Sequence, residues 1–259
     1  MLSLRPYYHP MQSVIPAEEK EVTYTEFLPC EALRPFIYCY WELKSPPRNT
    51  PFFYRVVADG CIDLFFECDN PQMSSLMGYC NTYVEIPIMG AFHYVGVRFL
   101  PSAFPLLFGQ DAFEISAQEI PLREVVPALA TFITQQLGAP LSLPATAQHL
   151  DDYFLRHLSQ HPLQIDNRFF SALSQILQSK GTIHISELNT GISPRQLRRL
   201  FDYYIGDNPK TFSNIVRFQH ILSAKAYHNH SFLDTYYDQA HFIKSFKTFY
   251  GDTPSKVLG

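Results

Sequence analysis

The chain lacks most of the signatures that place a sequence quickly. No apolar run in its 259 residues approaches the roughly 20 needed to cross a bilayer. Its opening stretch, MLSLRPYYHP, has no apolar segment of the signal-peptide kind. The expectation is a cytoplasmic protein with no membrane partner. Cysteine is scarce and unpaired in pattern: Cys30, Cys39, Cys61, Cys68 and Cys80 are odd in number and form no CxxC, which argues against a disulfide framework. A zinc or redox site on Cys61 and Cys68 comes second to buried structural thiols. There is no GxGxxG, no phosphate-binding loop and no GxSxG. His9 and His93 belong to no HxH or HExxH spacing, and the HNH string of His228 and His230 has no accompanying Cys or Asp, so it reads as surface. These absences point away from an enzyme and leave no catalytic, metal or cofactor residue to name.

What is present is a globular composition. Hydrophobic residues make up 46% and charged residues 17%, which excludes a disordered chain, and the length suffices for two cores. The net charge of -4 hides an asymmetry. Residues 1–166 carry 9 Lys+Arg against 18 Asp+Glu, whereas residues 167–259 carry 11 against 6 and five of the ten histidines. Only the back of the chain is suited to a polyanion.

The first hundred residues read as β. FFYRVV (Phe52–Val57), CIDLFF (Cys61–Phe66), YVEIPI (Tyr83–Ile88) and YVGVRFL (Tyr94–Leu100) are short, aromatic and β-branched, with Asp59-Gly60, Gly78 and Gly90 between them. A compact barrel or sandwich follows from so many short strands. Trp41, Phe52, Phe53, Tyr54, Phe65 and Phe66 are each better read as core, although together such aromatics could line a small-molecule pocket. Asp59, Asp63 and Glu67 flank an apolar strand, and Asp59-Gly60 suggests a turn before it suggests a catalytic pair.

Helix is expected after Pro101: first PSAFPLLFG, then LREVVPALATFITQQLG closing on Gly138 as a C-cap, then ATAQHLDDYFLRHLSQ with Leu150, Phe154 and Leu158 on one stripe. HPLQ (His161–Gln164) is a linker candidate. DNRFFSALSQILQSKG then opens on an Asp N-cap and closes on Gly181. The boundary this implies separates residues 1–161 from residues 162–259.

Beyond it the chain repeats itself. YYIGDNPKTF and FYGDTPSKV share G-D-x-P at an offset of 45 residues. At that offset Leu197 falls on Phe242, Arg199 on Lys244, Phe201 on Phe246, Gly206 on Gly251 and Pro209 on Pro254. Two divergent copies of a helix followed by a glycine-proline turn explain this. In the first copy Ser193 can cap, Pro194 suits the first helical position and Gln196 completes a capping box. Leu197, Leu200, Phe201 and Tyr204 share one face, leaving Arg195, Arg198, Arg199 and Asp202 on the other. In the second, Phe242, Phe246 and Phe249 point inward, and Ala240, Ile243, Lys244 and Lys247 outward. Three arginines near a helix start are what a recognition helix needs to meet bases and phosphates, and two such units could enter successive major-groove segments roughly 34 Å apart. A solvated amphipathic helix remains the plainer explanation of either copy alone. The segment NPKTFSNIVRFQHILSAKAY between them reads as a helix, with Lys210, Arg217 and Lys225 as phosphate contacts or surface charges.

The run S-P-R-Q-L-R-R-L-F, G-D-N-P-K-T-F, I-V-R-F-Q, Y-D-Q-A-H-F-I-K-S-F-K and G-D-T-P, in that order, resembles the AraC/XylS family of bacterial transcription regulators over roughly Ile183–Val257. The resemblance implies an all-α DNA-binding domain of two helix-turn-helix units joined by a helix. It implies base readers at Arg195, Arg198 and Arg199 in the first unit and at Gln239, Ala240, His241, Ile243 and Lys244 in the second. Lys210, Arg217 and Lys247 are candidate phosphate contacts. LRPFIYCYWEL, VADGCIDLFF and VGVRFLPSAF resemble, less specifically, an N-terminal domain found in some members. The whole is then α+β: a β-rich sensing or dimerising domain with helices at its end, over residues 1–161, and the double helix-turn-helix domain over residues 162–259. Double-stranded DNA is the implied partner, with RNA polymerase if the protein activates. A small-molecule effector and a homodimer are further partners that this organisation admits.

Three departures from the family pattern stand beside the resemblance. Only four residues separate Leu188 from Ser193, so the first helix of that unit must be unusually short. Thr235 stands where a turn glycine is usual, and residues 227–238 look too short for a full supporting helix. They support a second reading, a ligand-binding or protein-interaction module whose degenerate helix-turn-helix domain no longer reads DNA.

Overall fold

In β2 (Ile37–Ser45) side chains alternate between two apolar environments, as the two-residue period of a strand requires. Cys39, Trp41 and Leu43 join a small cluster with Phe52, Tyr54 and Phe92, while Tyr40 faces the main core. A register irregularity between Ile37 and Cys39 returns Ile37 to the main-core side as well, as a bulge does. The computed structural model describes residues 4–13, 15–138, 141–223 and 239–258.

β2 lies inside a six-stranded antiparallel sheet built from β1 (Thr23–Phe27), β4 (Ile62–Glu67), β5 (Ser74–Met77), β7 (Phe92–Phe99) and β8 (Glu119–Pro121), in the order β1-β2-β7-β4-β5-β8. A separate antiparallel pair, β3 (Phe52–Val56) with β6 (Val84–Ile88), covers one face and makes a cup. The two faces of β7 show the division: Val95, Val97 and Phe99 enter the main core, and Phe92 and Tyr94 belong to the cup side. Gly96 pairs across the sheet with Trp41, and a Cβ there would fall 2.3 Å from the indole. Only glycine lets the ring lie flat on the strand at that point.

Helices pack on the sheet's other face: α1 (Ala103–Phe108), α2 (Ala112–Ile115), α3 (Leu122–Val125), α4 (Pro127–Gln136) and α5 (Leu143–Gln160). The continuous helix expected over Leu122–Gly138 is in fact two, broken at Val126, because a residue ahead of proline is pushed out of helical backbone. Gly138 is not its cap either; the helix ends at Gln136 with Leu137 in the capping position. In α5, Leu150 and Phe154 are buried and Leu158 is half-buried, which matches the expected stripe.

The back half comprises α6 (Asn167–Gln178), α7 (Pro194–Ile205), α8 (Pro209–Ser223), α9 (Gln239–Tyr250) and α10 (Pro254–Val257). The chain is thus α+β, β-rich in front and helical behind. Asp166 caps α6 by accepting from the backbone N–H groups of Arg168 and Phe169. Gly181 has a positive φ, and a Cβ there would meet the Ser213 carbonyl at 2.2 Å, so α8 can lie against the end of α6 only with glycine at that position.

The G-D-x-P repeat has one structural meaning twice over. Gly206 and Gly251 end α7 and α9 with φ of 101° and 93°, and Pro209 and Pro254 open the helices that follow. Both glycines also meet the front half, Gly206 against Ser116 and Ala112, Gly251 against Tyr83. One apolar cluster runs through both halves, from Phe66, Phe104 and Phe154 to Phe169, Phe212 and Phe246. Residues 161–166 connect α5 to α6 without interrupting it.

Candidate nucleic-acid interface and ligand cavity

α7 is built as its sequence requires. Ser193 accepts from the Gln196 N–H at 3.3 Å, Pro194 occupies the first turn, and Gly206 closes the helix. Leu197, Phe201 and Tyr204 are buried and Leu200 half-buried, so the opposite face is left to solvent. On it Arg195, Arg198 and Arg199 are all exposed and line a shallow hollow with Ser193, Gln196 and Asp202. Arg198 Nε lies 3.9 Å from Asp202 Oδ2, with the arginine side chain 69% exposed, a pairing worth little in water. The three guanidiniums therefore stay open to a polyanion beside the positive end of the helix dipole. The last turn of the same helix is occupied, since α7 packs on α1 and α2 and Ser116 Oγ donates to the Gly206 carbonyl at 3.1 Å.

In α9, Phe242, Phe246 and Phe249 are buried, and Gln239, Ala240, His241, Lys244 and Lys247 are exposed. Ile243 departs from the outward set: it is half-buried and packs against the main core, as an apolar side chain at a face boundary does. Lys210 is exposed at the start of α8. Arg217 is half-buried and its Nη2 donates to the Gly181 carbonyl at 2.7 Å, so part of its fork ties α8 to the end of α6. Between α6 and α7 the supporting element is one 3-10 turn, Ile185–Glu187. Lys225, His228, His230, Thr235 and the remainder of the segment 227–238 lie outside the described residues.

The front half holds a cavity of about 260 Å³ between the sheet and the β3–β6 pair. Trp41, Tyr54, Phe65 and Tyr94 are among its walls, Asp59, Asp63 and Arg98 are at its inner end, and Glu119 and Met89 (62% exposed) stand toward solvent. Of the six aromatics singled out in sequence, Trp41, Tyr54 and Phe65 line it; Phe52 packs beside it, Phe66 is in the main core and Phe53 is 57% exposed.

Arg98 is 1% exposed and held by ion pairs. Its Nε and Nη2 donate to the two carboxylate oxygens of Asp63 at 3.1 and 2.8 Å, Asp59 Oδ2 lies 3.4 Å away, and Nη1 faces the Tyr24 hydroxyl. Burial alone would lower the guanidinium pKa, but Asp63, Tyr24 and Asp59 outweigh it and hold the charge. Asp59 is buried and Asp63 half-buried beside that one cation, and desolvation raises both, Asp63 to about 6. The Asp59-Gly60 turn is real, with the Cys61 N–H donating to Asp59 Oδ1 and Gly60 at positive φ. His93 lies outside this group, its Nε2 2.9 Å from Glu42. Cys61 and Cys68 are buried free thiols whose pKa values burial pushes up.

The cavity and the helical half meet through adjacent residues. Gln12 donates to Asp59 Oδ2 at 2.7 Å, while its neighbour Met11 exchanges hydrogen bonds with the buried Gln219 side chain on α8. Gln219 also donates to the Ala58 carbonyl at 2.8 Å, and the Ala58 N–H donates to Phe249 at the end of α9. Residues 11 and 58 thus hold the helices, and residues 12 and 59 hold the cavity floor.

Fold and sites first define a kind of molecule: an antiparallel cup with a buried-charge cavity, joined to helices that present a basic face. Residues 25–121, from β1 to β8, match a family model described as Domain of unknown function (DUF6597). Among solved structures, that of ToxT from Vibrio cholerae O395 is similar at 12% identity and a TM-score of 0.38, over 93% of this chain and 98% of its own. No curated protein matches the chain. Among the described residues no helix is long and apolar enough to cross a membrane.

Arg98 was not legible as a site residue. Within YVGVRFL it looks like an outward polar residue of a half-buried strand, and only its spacing of two from Gly96 and four from Tyr94 shows that it shares their face.

Proposed function

We propose that this chain is a sequence-specific DNA-binding transcription regulator of the AraC/XylS type, with α7 reading the major groove. The observation that carries the reading is the solvent-open triad Arg195, Arg198 and Arg199 on a capped helix whose other face is buried. α9 is the second reading helix, with Gln239, Ala240, His241 and Lys244 on its open side. Lys210 and Lys247 anchor phosphates; Arg217 holds the scaffold and reaches phosphate only with what its bond to Gly181 leaves over. On this reading α8 separates the two helices, residues 162–259 are a double helix-turn-helix domain and residues 1–161 a regulatory domain. A small molecule in the front cavity would act on α8 and α9 through Gln12, Asp59, Met11 and Ala58. Dimerisation and contact with RNA polymerase belong to the same reading.

The test is selection of genomic DNA fragments by the full chain at about 150 mM salt, followed by sequencing of what is retained. Enrichment of a motif with two half-sites about one helical turn apart is expected. Arg198→Ala should then weaken binding by about 1–3 kcal/mol and relax specificity at one base position. Equal weakening on every sequence would make Arg198 a phosphate anchor.

A second reading has its own observation. The element before α7 is a single 3-10 turn, and the last turn of α7 is packed on the front half, as suits a ligand-binding or interaction module that has stopped reading DNA. Failure of the folded chain to enrich any motif, with and without effector extracts, would favour it.

A further inference from the structure

We propose that the front cavity binds a compact organic cation, an ammonium compound with an aromatic or aliphatic body and a hydrogen-bond acceptor. This deepens the effector role given to the front half above and rests on that reading for its biological sense.

The argument starts from charge. The charged residues lining the cavity are Asp59, Asp63 and Glu119 against Arg98 alone. Arg98 is poorly placed for an anionic ligand, because three of its five N–H groups are given to Asp63 and Tyr24, with Asp59 close to the same Nε. Glu26, 3.8 Å from Nη1, adds a further carboxylate behind it. A ligand entering this end meets two carboxylates for one guanidinium, in surroundings less polar than bulk water.

The walls select for the same class. Trp41, Phe65, Tyr94 and Tyr54 line the space above those carboxylates, with Trp41 and Phe65 centroids 6.4 Å apart and Phe65 and Tyr94 6.2 Å apart. Aromatic faces attract a cation through their quadrupoles, and most strongly where it has been desolvated. The size of the cavity, about 260 Å³, suits a compact ligand.

One polar atom in the wall is unsatisfied. The Trp41 side chain belongs to a residue only 5% exposed, and its Nε1–H meets no acceptor within hydrogen-bonding geometry. It lies near enough to Asp63 to favour the ionised carboxylate, without reaching hydrogen-bond geometry. A buried indole N–H usually has a partner. An acceptor on the ligand supplies it.

Trp41 is the chain's single tryptophan, so fluorescence excited selectively at the indole reports on this cavity. The experiment titrates the full-length protein with three molecules of similar shape and different charge, each with an ether oxygen as acceptor: 2-phenoxyethylamine, 2-phenoxyethanol and 3-phenoxypropionate. The expected result is a saturable change in Trp41 emission, with the amine binding at least about tenfold more tightly than the alcohol and the carboxylate weakest. Asp63→Asn should reduce the preference for amine over alcohol to less than about threefold. Because that variant also takes a partner from Arg98, the three-way comparison on the unmodified chain decides the matter. Equal binding of amine and alcohol, tighter binding of the carboxylate, or no response to any of the three up to about 10 mM would each overturn the proposal. No DNA is involved, so such a failure leaves the DNA-reading proposal standing, and failure of the DNA selection leaves this one untouched.

Discussion

Arg98 and Arg198 carry the same guanidinium and are put to opposite uses. Arg98 sits in the middle of a sheet at 1% exposure, with one carboxylate gripped by two donors and a second close by. Arg198 stands on a helix face with its side chain 69% exposed and a single loose neighbour, Asp202, 3.9 Å away. The front half buries charge and must satisfy it internally; the back half leaves charge in water, where a partner can take it up. A removed partner inside the cup strands the other charge in a low dielectric, whereas one removed from α7 is replaced by solvent.

The sharpest way to break the comparison is Arg98→Met. It leaves Asp63 and Asp59 together without their cation, and a stability loss of about 3–5 kcal/mol is expected from urea denaturation. A loss of less than about 1 kcal/mol would mean that the carboxylates reach water in the native state and the cup is not closed as described.

A smaller effect should appear on changing pH. Burial raises Asp63 to about 6 although Arg98 pulls it down, with Asp59 and the Trp41 indole the other groups facing it. In the unfolded chain an Asp titrates near about 4. Between those values the folded state holds a proton that the unfolded state has released, so this carboxyl contributes stability that is fully present below about pH 4 and lost as pH rises through about 6. Denaturation midpoints across that window should therefore show a downward component with rising pH that Asp63→Asn removes. An unchanged slope in the variant would place the titration elsewhere.

The smallest effect is the one expected of the back half. Arg198→Ala should move folding stability by no more than about 0.5 kcal/mol in the same assay, even where it abolishes recognition of a DNA site. A loss approaching that of Arg98→Met would show that the α7 face is structural, and would collapse the distinction.

Much of the back half was legible in advance because its determinants are local. Ser193, Pro194 and Gly206 set the start and stop of α7 within one stretch of chain, and the spacing of Leu197, Phe201 and Tyr204 decides which face is left to the arginines. The G-D-x-P repeat foretold two glycine-capped helix ends with prolines opening the next helices, and Asp166 capped the helix it precedes. The helix expected to close on Gly138 ends two residues earlier, at Gln136. β3, β4, β6 and β7 were found as segments, with their ends shifted by one or two residues. β1, β5 and β8 went unread because they are short and weakly alternating and held by pairing across the sheet, and β2 because it is buried on both faces and shows no apolar–polar alternation.

The sequence by itself determined the capped, amphipathic, arginine-bearing helix and its echo at α9, since a helix's faces and ends are fixed by residues within a few turns of one another. Only the tertiary structure decided that Asp59, Asp63 and Arg98 meet, that Trp41 lies on Gly96, and that Gln219 reaches back to Met11 and Ala58. Those contacts join residues 35 to 208 positions apart, and no local pattern encodes them. They exist because strands must find partners for every backbone group and an apolar cluster spanning both halves must close.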